Sequence, residues 1–131
     1  THLADGQTKT VLAKSDDGGF TLELNNPSGP PPTSLRFGVM VGDRYHYATY
    51  PAKHLDNRNC YFIIAGYDGD GSVRLWIDGR DKDVTASSTV GGVRQNDSPV
   101  VIGADPQGAA VRRFHFEGLI QQVQLQQWGE H

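Results

Sequence analysis

The sequence predicts an all-β protein, an antiparallel β-sandwich of the jelly-roll kind, and three observations support this. Sixteen Gly and seven Pro account for 23 of the 131 residues, or about 18%, against roughly 12% in average proteins. Glu occurs three times and Lys four times, so the residues that usually fill the exposed face of helices are scarce. Apolar and polar side chains alternate with period two wherever the chain is periodic. We therefore expect about nine short strands joined by tight turns.

The first four predicted strands occupy the N-terminal part of the chain. In the second of them, Phe20, Leu22 and Leu24 alternate with Thr21 and Glu23, which places one face in a core. Asp and Gly at 16–19 and at 42–43 predict hairpin turns, while the Pro-rich stretch 26–32 predicts an extended connector that cannot pair in a ladder. The four strands span residues 10–14, 20–24, 35–41 and 45–50.

The remaining strands follow the same pattern with one exception. Residues 61–67 are apolar on both faces, which predicts a central, fully covered strand. Residues 85–97 are rich in Ser, Thr, Gly and Asn and predict a surface loop. Turns are expected at 68–71 and 78–79, where Asp alternates with or precedes Gly. The predicted strands are 61–67, 73–78, a short one at 81–84, 100–103 and a long one at 119–128.

Length and charge limit the organisation and the partners. A chain of 131 residues is expected to form one domain over 1–131, with about the first ten residues as a flexible arm or edge strand. The net charge is −3 and the twelve Lys and Arg are scattered, which argues against nucleic acid as a partner. The longest apolar stretch is about five residues, far short of a bilayer span. Cys60 is the single cysteine, so an internal disulfide is excluded, and its position beside Tyr61 predicts a small buried hydrophobe.

Two segments resemble the laminin-G-like, concanavalin A-like lectin-glucanase jelly rolls. Residues 67–80 resemble the central hairpin of that family, and residues 101–105 followed by 116–125 resemble its next signature. The hairpin segment reads Tyr-Asp-Gly-Asp-Gly-Ser-Val-Arg-Leu-Trp-Ile-Asp-Gly-Arg. The resemblance covers roughly residues 11–128. It implies a concanavalin A-like sandwich in a secreted, cell-surface or periplasmic protein.

The chain also departs from that family. Gln121 and Gln122 stand where the family has an Asp-Glu pair, which removes two carboxylates that could hold a cation. Nothing before Val11 resembles the extra strands with which such domains commonly begin. These departures predict a minimal variant, or one in which a neighbouring domain or a second copy in a homodimer covers a sheet edge.

Catalysis and metal binding both find little support in the sequence. Related β-glucanases carry carboxylates at alternate positions of one strand, whereas Glu23, Glu117 and Glu130 have no other Glu within four residues. We therefore predict that the domain is not an enzyme. Asp68 and Asp70 open like a calcium loop, but Gly stands at the twelfth position, where a bidentate acid is needed. The tight-turn interpretation is favoured, Ca²⁺ at these two carboxylates is the alternative, and no other cofactor is expected.

Aromatic residues interleaved with polar ones form the candidate site. Flat rings stack on the C–H faces of sugars while amides and Arg bond the hydroxyls. The alternation at 73–78 places Arg74, Trp76 and Asp78 on one face. The candidate carbohydrate-binding residues are Arg44, Tyr45, Tyr47, Tyr50, Arg74, Trp76, Gln122 and Gln124.

The predicted function is a non-catalytic carbohydrate-binding module of a larger secreted or surface protein, with a glycan or polysaccharide as partner. One alternative is a protein-interaction or adhesion module, in which the same exposed rings form the centre of an interface. The other is a structural accessory domain that packs against an enzyme. Burial of Trp76 together with the whole aromatic cluster at 45–50 would contradict both the carbohydrate-binding and the protein-interaction hypotheses.

Overall fold

The computed structural model describes residues 9–14, 18–25, 33–55, 59–96, 100–102, 105–107, 111–113, 120 and 124. This part of the chain is almost entirely extended, with a single 3₁₀ turn at Ala52–His54. The strands are β1 (Lys9–Lys14), β2 (Phe20–Asn25), β3 (Ser34–Val41), β4 (Arg44–Pro51), β5 (Ile63–Gly66), β6 (Asp70–Ser72), β7 (Arg74–Ile77), β8 (Thr85–Ala86), β9 (Ser88–Val90), β10 (Val101–Ile102), β11 (Asp105–Gln107) and β12 (Val111–Arg113).

Six of these strands form one antiparallel sheet in the order β10-β1-β2-β3-β4-β8. The predicted hairpin at 42–43 is confirmed, because Val41 pairs with Arg44 and leaves a two-residue turn. Gly42 has φ +70° there, a conformation that glycine adopts at no steric cost. The first four predicted strands thus correspond to β1–β4, and no predicted end differs from the observed one by more than one residue.

The second layer is the antiparallel pair β5-β7. Val73, Leu75 and Ile77 point from this layer into a buried cluster with side chains of the six-stranded sheet such as Leu35 and Val39. Burial of these apolar side chains between two extended layers is the main stabilising term of such a fold. The prediction of an antiparallel all-β sandwich is confirmed.

The turn after β7 is confirmed, but the strand predicted to follow it is not. Asp78 and Gly79 have φ +52° and +81°, as in the type I′ turn that matches strand twist. Ile77 and Arg80 close the turn with mutual backbone hydrogen bonds of 2.8 and 3.1 Å. The chain then turns again at Asp83, whose φ is +68°, so residues 81–84 make no ladder and that prediction is wrong.

The predicted surface loop at 85–97 is also wrong in part, because it contains β8 and β9. β9 pairs with β6, which overlaps the predicted turn at 68–71 by two residues. The hydroxyls of Ser72 and Ser88 lie 3.0 Å apart across this ladder. Short strands of Gly, Ser and Thr carry no apolar alternation, so hydrophobic periodicity could not reveal them.

The segment 61–67 is not a fully covered central strand. Its strand is shorter, Ile63–Gly66, and Phe62 and Ile64 are 68% and 44% exposed. Cys60 is exposed as well, which corrects its predicted burial. The predicted strand 100–103 is β10, and Val100 and Ile102 are 42% and 54% exposed.

Several predictions fall on residues outside the described part of the chain. The Pro-rich connector 26–32 lies there, as does most of the predicted strand 119–128. Of that strand only Ile120 and Gln124 are described, and neither is assigned to a strand.

A tie between distant segments holds β1 to the loop after β9. The ammonium of Lys14 donates to the backbone oxygen and to Oδ1 of Asn96, at 3.0 and 2.8 Å. Nδ2 of Asn96 donates to the backbone oxygen of Lys14 at 3.1 Å. Gly19 N donates to Arg94 O at 2.8 Å beside this tie. The loop is therefore fixed to the sheet over 82 residues of sequence.

Candidate functional site

The most exposed apolar surface near the predicted site is the side of the β5-β7 pair that faces away from the six-stranded sheet. Alternation along β7 buries Leu75 and Ile77 and leaves Trp76 half-buried on the opposite side. Ile64 pairs directly with Trp76, so both side chains lie on that side. We call this surface the outer face, and its residues are Phe62, Ile64, Gly66, Arg74, Trp76 and Asp78.

Asp78 lies at the turn end of the outer face. Its backbone N donates to Phe62 O at 2.7 Å, and its Oδ1 accepts from Phe62 N at 2.8 Å. Because one carboxylate oxygen is used in this way, the side chain is held in place while the residue stays exposed. Phe62 occupies the position diagonal to Trp76, and diagonal residues of two paired strands are about 7 Å apart.

Arg74 lies at the other end of the outer face. It is exposed, and in the part of the chain that the structure describes its guanidinium makes no hydrogen bond or ion pair. Its cross-strand neighbour is Gly66, and a Cβ built on Gly66 would meet nothing within 4 Å. Open space over Gly66, which we call the recess, therefore lies beside the unpaired cation of Arg74 and diagonal to Trp76. The burial pattern along β7 places Arg74 and Trp76 on the same outward side, while Asp78 is exposed in the turn that follows the strand.

The candidate residues of β4 are not brought together with those of β7, and they are divided between two faces of the six-stranded sheet. Tyr50 pairs with buried Leu35 and packs against the core cluster. Tyr45 and Tyr47 lie on the opposite face, with stacked rings 6.0 Å apart. Arg44 is exposed at the hairpin turn.

The rings of Tyr45 and Tyr47 serve the packing of the sheet. Tyr45 Oη donates to Gly18 O at 2.8 Å. The guanidinium carbon of Arg36 lies 4.1 Å from the centroid of the Tyr47 ring, a cation–π contact. Arg36 Nε in turn donates to Glu23 Oε2 at 2.6 Å, and the Glu23 residue is 5% exposed. Glu23 is therefore a buried ion-pair partner rather than an accessible acid.

Tyr50 belongs to a polar group near the turn end of the β5-β7 pair. Its ring lies 5.7 Å from that of His54, and His54 Nε2 is 3.7 Å from Asp83 Oδ2. Burial raises the pKa of the Tyr50 phenol, and the negative charge of Asp83 raises it further. Both partners of the His54–Asp83 pair are substantially exposed, so this pair adds little stability.

Asp68 and Asp70 form a turn. Asp68 Oδ1 accepts from Asp70 N at 3.0 Å, the pattern of an Asx turn that needs no ion. Burial raises the pKa of the neighbouring Tyr67, and the carboxylates of Asp68 and Asp70 raise it further. Among the described residues, no group of three or more His, Cys, Asp or Glu is placed to hold a metal ion.

The last two candidate residues add nothing to this geometry. Gln124 is exposed, and Gln122 lies outside the described residues. Phe62 and Ile64 were missed as site residues because an apolar run predicts burial on both faces. A signal in the sequence could have identified them. If the two strands are paired as a hairpin, Ile64 stands opposite Trp76, and Phe62, two residues earlier, lies on the same side as Ile64.

The two antiparallel layers around a shared apolar cluster define the class of the fold, an antiparallel β-sandwich. A laminin G family model, described as the concanavalin A-like lectin/glucanases superfamily, matches residues 2–127. The chain therefore belongs to this superfamily, which confirms the predicted resemblance and makes the chain a carbohydrate-binding or protein-interaction module. Domains of the laminin G type are generally non-catalytic and often extracellular. No curated protein and no solved structure matches the chain.

Helices long and apolar enough to cross a membrane are absent from the described residues.

Proposed function

We propose that this domain is a non-catalytic carbohydrate-binding module and that its site is the outer face of the β5-β7 pair. The observation that carries the proposal is Trp76, half-buried on an outward strand face between the charged residues Arg74 and Asp78. A partly exposed indole offers a flat apolar surface with a polar edge, which suits the C–H face of a sugar ring.

Spacing along the strand supports this use. Residues two apart on one strand face are about 7 Å from each other, so Arg74 and Asp78 flank a sugar that is stacked on Trp76. The guanidinium offers donors to hydroxyl or carboxylate oxygens. The second oxygen of the Asp78 carboxylate offers an acceptor, while the first holds Phe62 N. Stacking and hydrogen bonding thus come from one surface.

Phe62 extends the surface to a second sugar unit. Its side chain is 68% exposed and occupies the position diagonal to Trp76. A glycan that crosses the hairpin diagonally could therefore contact both aromatic side chains. An open face of this kind suits the interior of a chain rather than its end. The partner that fits is therefore an extended glycan or polysaccharide, bound weakly per site.

One observation favours the other class of function, a protein-interaction module. Ile64 is 44% exposed in the middle of the outer face, and a branched aliphatic side chain has no flat surface for a sugar. Exposed aliphatic and aromatic side chains with charged neighbours are typical of protein interfaces.

Glycan binding by matched variants distinguishes the two functions. The wild-type domain and Trp76→Ala are compared on a glycan array and then by calorimetry with the polysaccharide that responds. We expect Trp76→Ala to abolish binding, and Val90→Ala, which shortens a 76% exposed side chain of β9, to leave it unchanged. A wild-type domain that binds no glycan, or binding that survives in Trp76→Ala, contradicts the proposal. The module is proposed to act in a secreted or cell-surface protein, where such polymers are found.

A further inference from the structure

The outer face is complementary to itself in both charge and shape. Arg74 and Asp78 carry opposite charges two residues before and two residues after Trp76. On the neighbouring strand, the exposed side chain of Phe62 and the open space over Gly66 lie two residues before and two residues after Ile64. Each feature at one end thus has its complement at the other end of the same strand.

The register fixes these positions. Trp76 pairs with Ile64 and Arg74 with Gly66, while Asp78 exchanges hydrogen bonds with Phe62. The face is therefore three rows of two, with Trp76 and Ile64 in the middle row. Rows are about 7 Å apart.

We propose that the outer face is a self-association surface, on which a second copy of this chain packs about a two-fold axis through the middle row. The axis lies in the interface at right angles to the strands. It places β7 over β7 and β5 over β5 with their directions reversed. Two-fold contacts of this kind, in which the same patch is used twice, are the commonest in homo-oligomers.

This axis pairs every complementary feature at once. Arg74 meets Asp78 of the partner subunit, and Asp78 meets Arg74 of the partner subunit. Phe62 meets the recess at Gly66 of the partner subunit, where a Cβ would have open space. A two-fold axis parallel to the strands would instead place Phe62 on Asp78 of the partner subunit, which would bury a charge against an apolar ring. Only the first arrangement satisfies both the charges and the shapes.

The occupant is a second copy rather than an unrelated protein because the complement of each feature is present on the same face. The unpaired guanidinium of Arg74 gains a carboxylate, and the exposed apolar area of Phe62 and Ile64 leaves water. In the part of the chain that the structure describes, the face consists of six residues of β5, β7 and their ends, against about 20–30 residues per partner in a stable interface, so the dimer is weak. A glycan stacked on Trp76 occupies the same surface, so glycan and second copy exclude each other.

Sedimentation of the glycan-free domain over a range of concentrations tests the proposal. We expect the wild type to show a reversible rise in mass toward a dimer. Arg74→Glu places like charges opposite each other at both symmetry-related contacts and should weaken association more than about tenfold, because the loss of two modest charge pairs alone has that effect and repulsion adds to it. Asp78→Lys should do the same. A mixture of the two variants should associate, because each contact then pairs Glu or Asp with Lys or Arg.

Two further variants keep the test decisive if Asp78→Lys fails to fold, since residue 78 has φ +52°. Arg74→Glu with Asp78→Asn removes the repulsion and should recover part of the association. Gly66→Thr fills the recess against Phe62 of the partner subunit without changing charge and should abolish the dimer, while Val90→Ala should not affect it. A wild type that stays monomeric at all concentrations overturns the proposal and leaves the face to a different partner. A dimer unaffected by Arg74→Glu and Gly66→Thr overturns it as well.

Discussion

Two glycines of the sandwich should respond in opposite directions to the same substitution. Gly38 lies in β3 beneath the ring of Tyr47, and a Cβ built there would be 2.5 Å from Cε1 and 2.7 Å from Cδ1. Gly66 lies in β5, where a Cβ would meet nothing within 4 Å. Neither glycine has a positive φ, so Ala is compatible with the backbone at both positions.

The magnitudes follow from these distances. To reach an ordinary contact of 3.4 Å, the Tyr47 ring must move by about 0.9 Å, away from its place against Arg36. Overpacking of this kind costs about 1–3 kcal/mol, and Gly→Ala returns about 0.4–1 kcal/mol by restricting the unfolded chain. We expect Gly38→Ala to lower the free energy of unfolding by about 1–2 kcal/mol and Gly66→Ala to raise it by about 0.4–1 kcal/mol.

Thermal and urea unfolding measure the difference. At about 4 °C per kcal/mol for a domain of this length, the melting temperatures of the two variants should differ by about 8 °C. The double variant Gly38→Ala with Tyr47→Ala should show coupling, because the second substitution removes the ring that the first one meets. Equal stability of Gly38→Ala and Gly66→Ala would show that the ring does not restrict this position and would refute the reasoning.

Three other outcomes are expected. Leu75→Ala, at a position only 1% exposed, should lower the free energy of unfolding by about 2–5 kcal/mol. Val90→Ala should change it by less than about 0.5 kcal/mol, and equal losses of stability in the two variants would contradict the assigned core. Tyr50→Phe should reduce the loss of stability above pH 10. Burial and the charge of Asp83 raise the pKa of Tyr50 in the folded state above its ordinary value of 10.0. As the pH rises, the unfolded chain therefore loses this proton first, and the folded state loses stability. If Tyr50→Phe leaves the dependence of the unfolding free energy on pH above 10 unchanged, this cause is wrong. Calcium or EDTA should leave the melting temperature unchanged, and a rise that grows with calcium concentration would reveal an ion bound to the native state.

The sequence predicts the strands of the large sheet well where apolar side chains alternate with polar or small ones, as Leu22 and Leu24 do in β2 and Val39 does in β3. The alternation does not reveal that the other face is covered as well, since Thr21 and Glu23 are 4% and 5% exposed. Asp and Gly mark the turns at 42–43 and 78–79 because positive φ is needed there. These are local requirements that single residues meet.

The missed features depend on contacts between distant segments. β6 and β9 are short and carry no apolar alternation, and their pairing depends on backbone hydrogen bonds and on the contact between the hydroxyls of Ser72 and Ser88. Phe62 and Ile64 were expected inside because an apolar run does not reveal whether a second layer covers it. Tyr45 and Tyr47 were expected at the site, but their partners Gly18 and Arg36 come from other strands and loops.

The tie between Lys14 and Asn96 has a consequence for how the protein can be produced. Residues 96–98 read Asn-Asp-Ser, the acceptor signal for N-linked glycosylation in a secretory pathway. The atom that would carry the sugar, Nδ2 of Asn96, is the one that donates to Lys14 O. The bond to Lys14 O restricts access to this atom once the loop has closed, and a sugar attached earlier would have to fit beside Lys14, which would weaken this contact while the two bonds from the Lys14 ammonium remain possible. A eukaryotic host is expected to yield folded material without a sugar at Asn96.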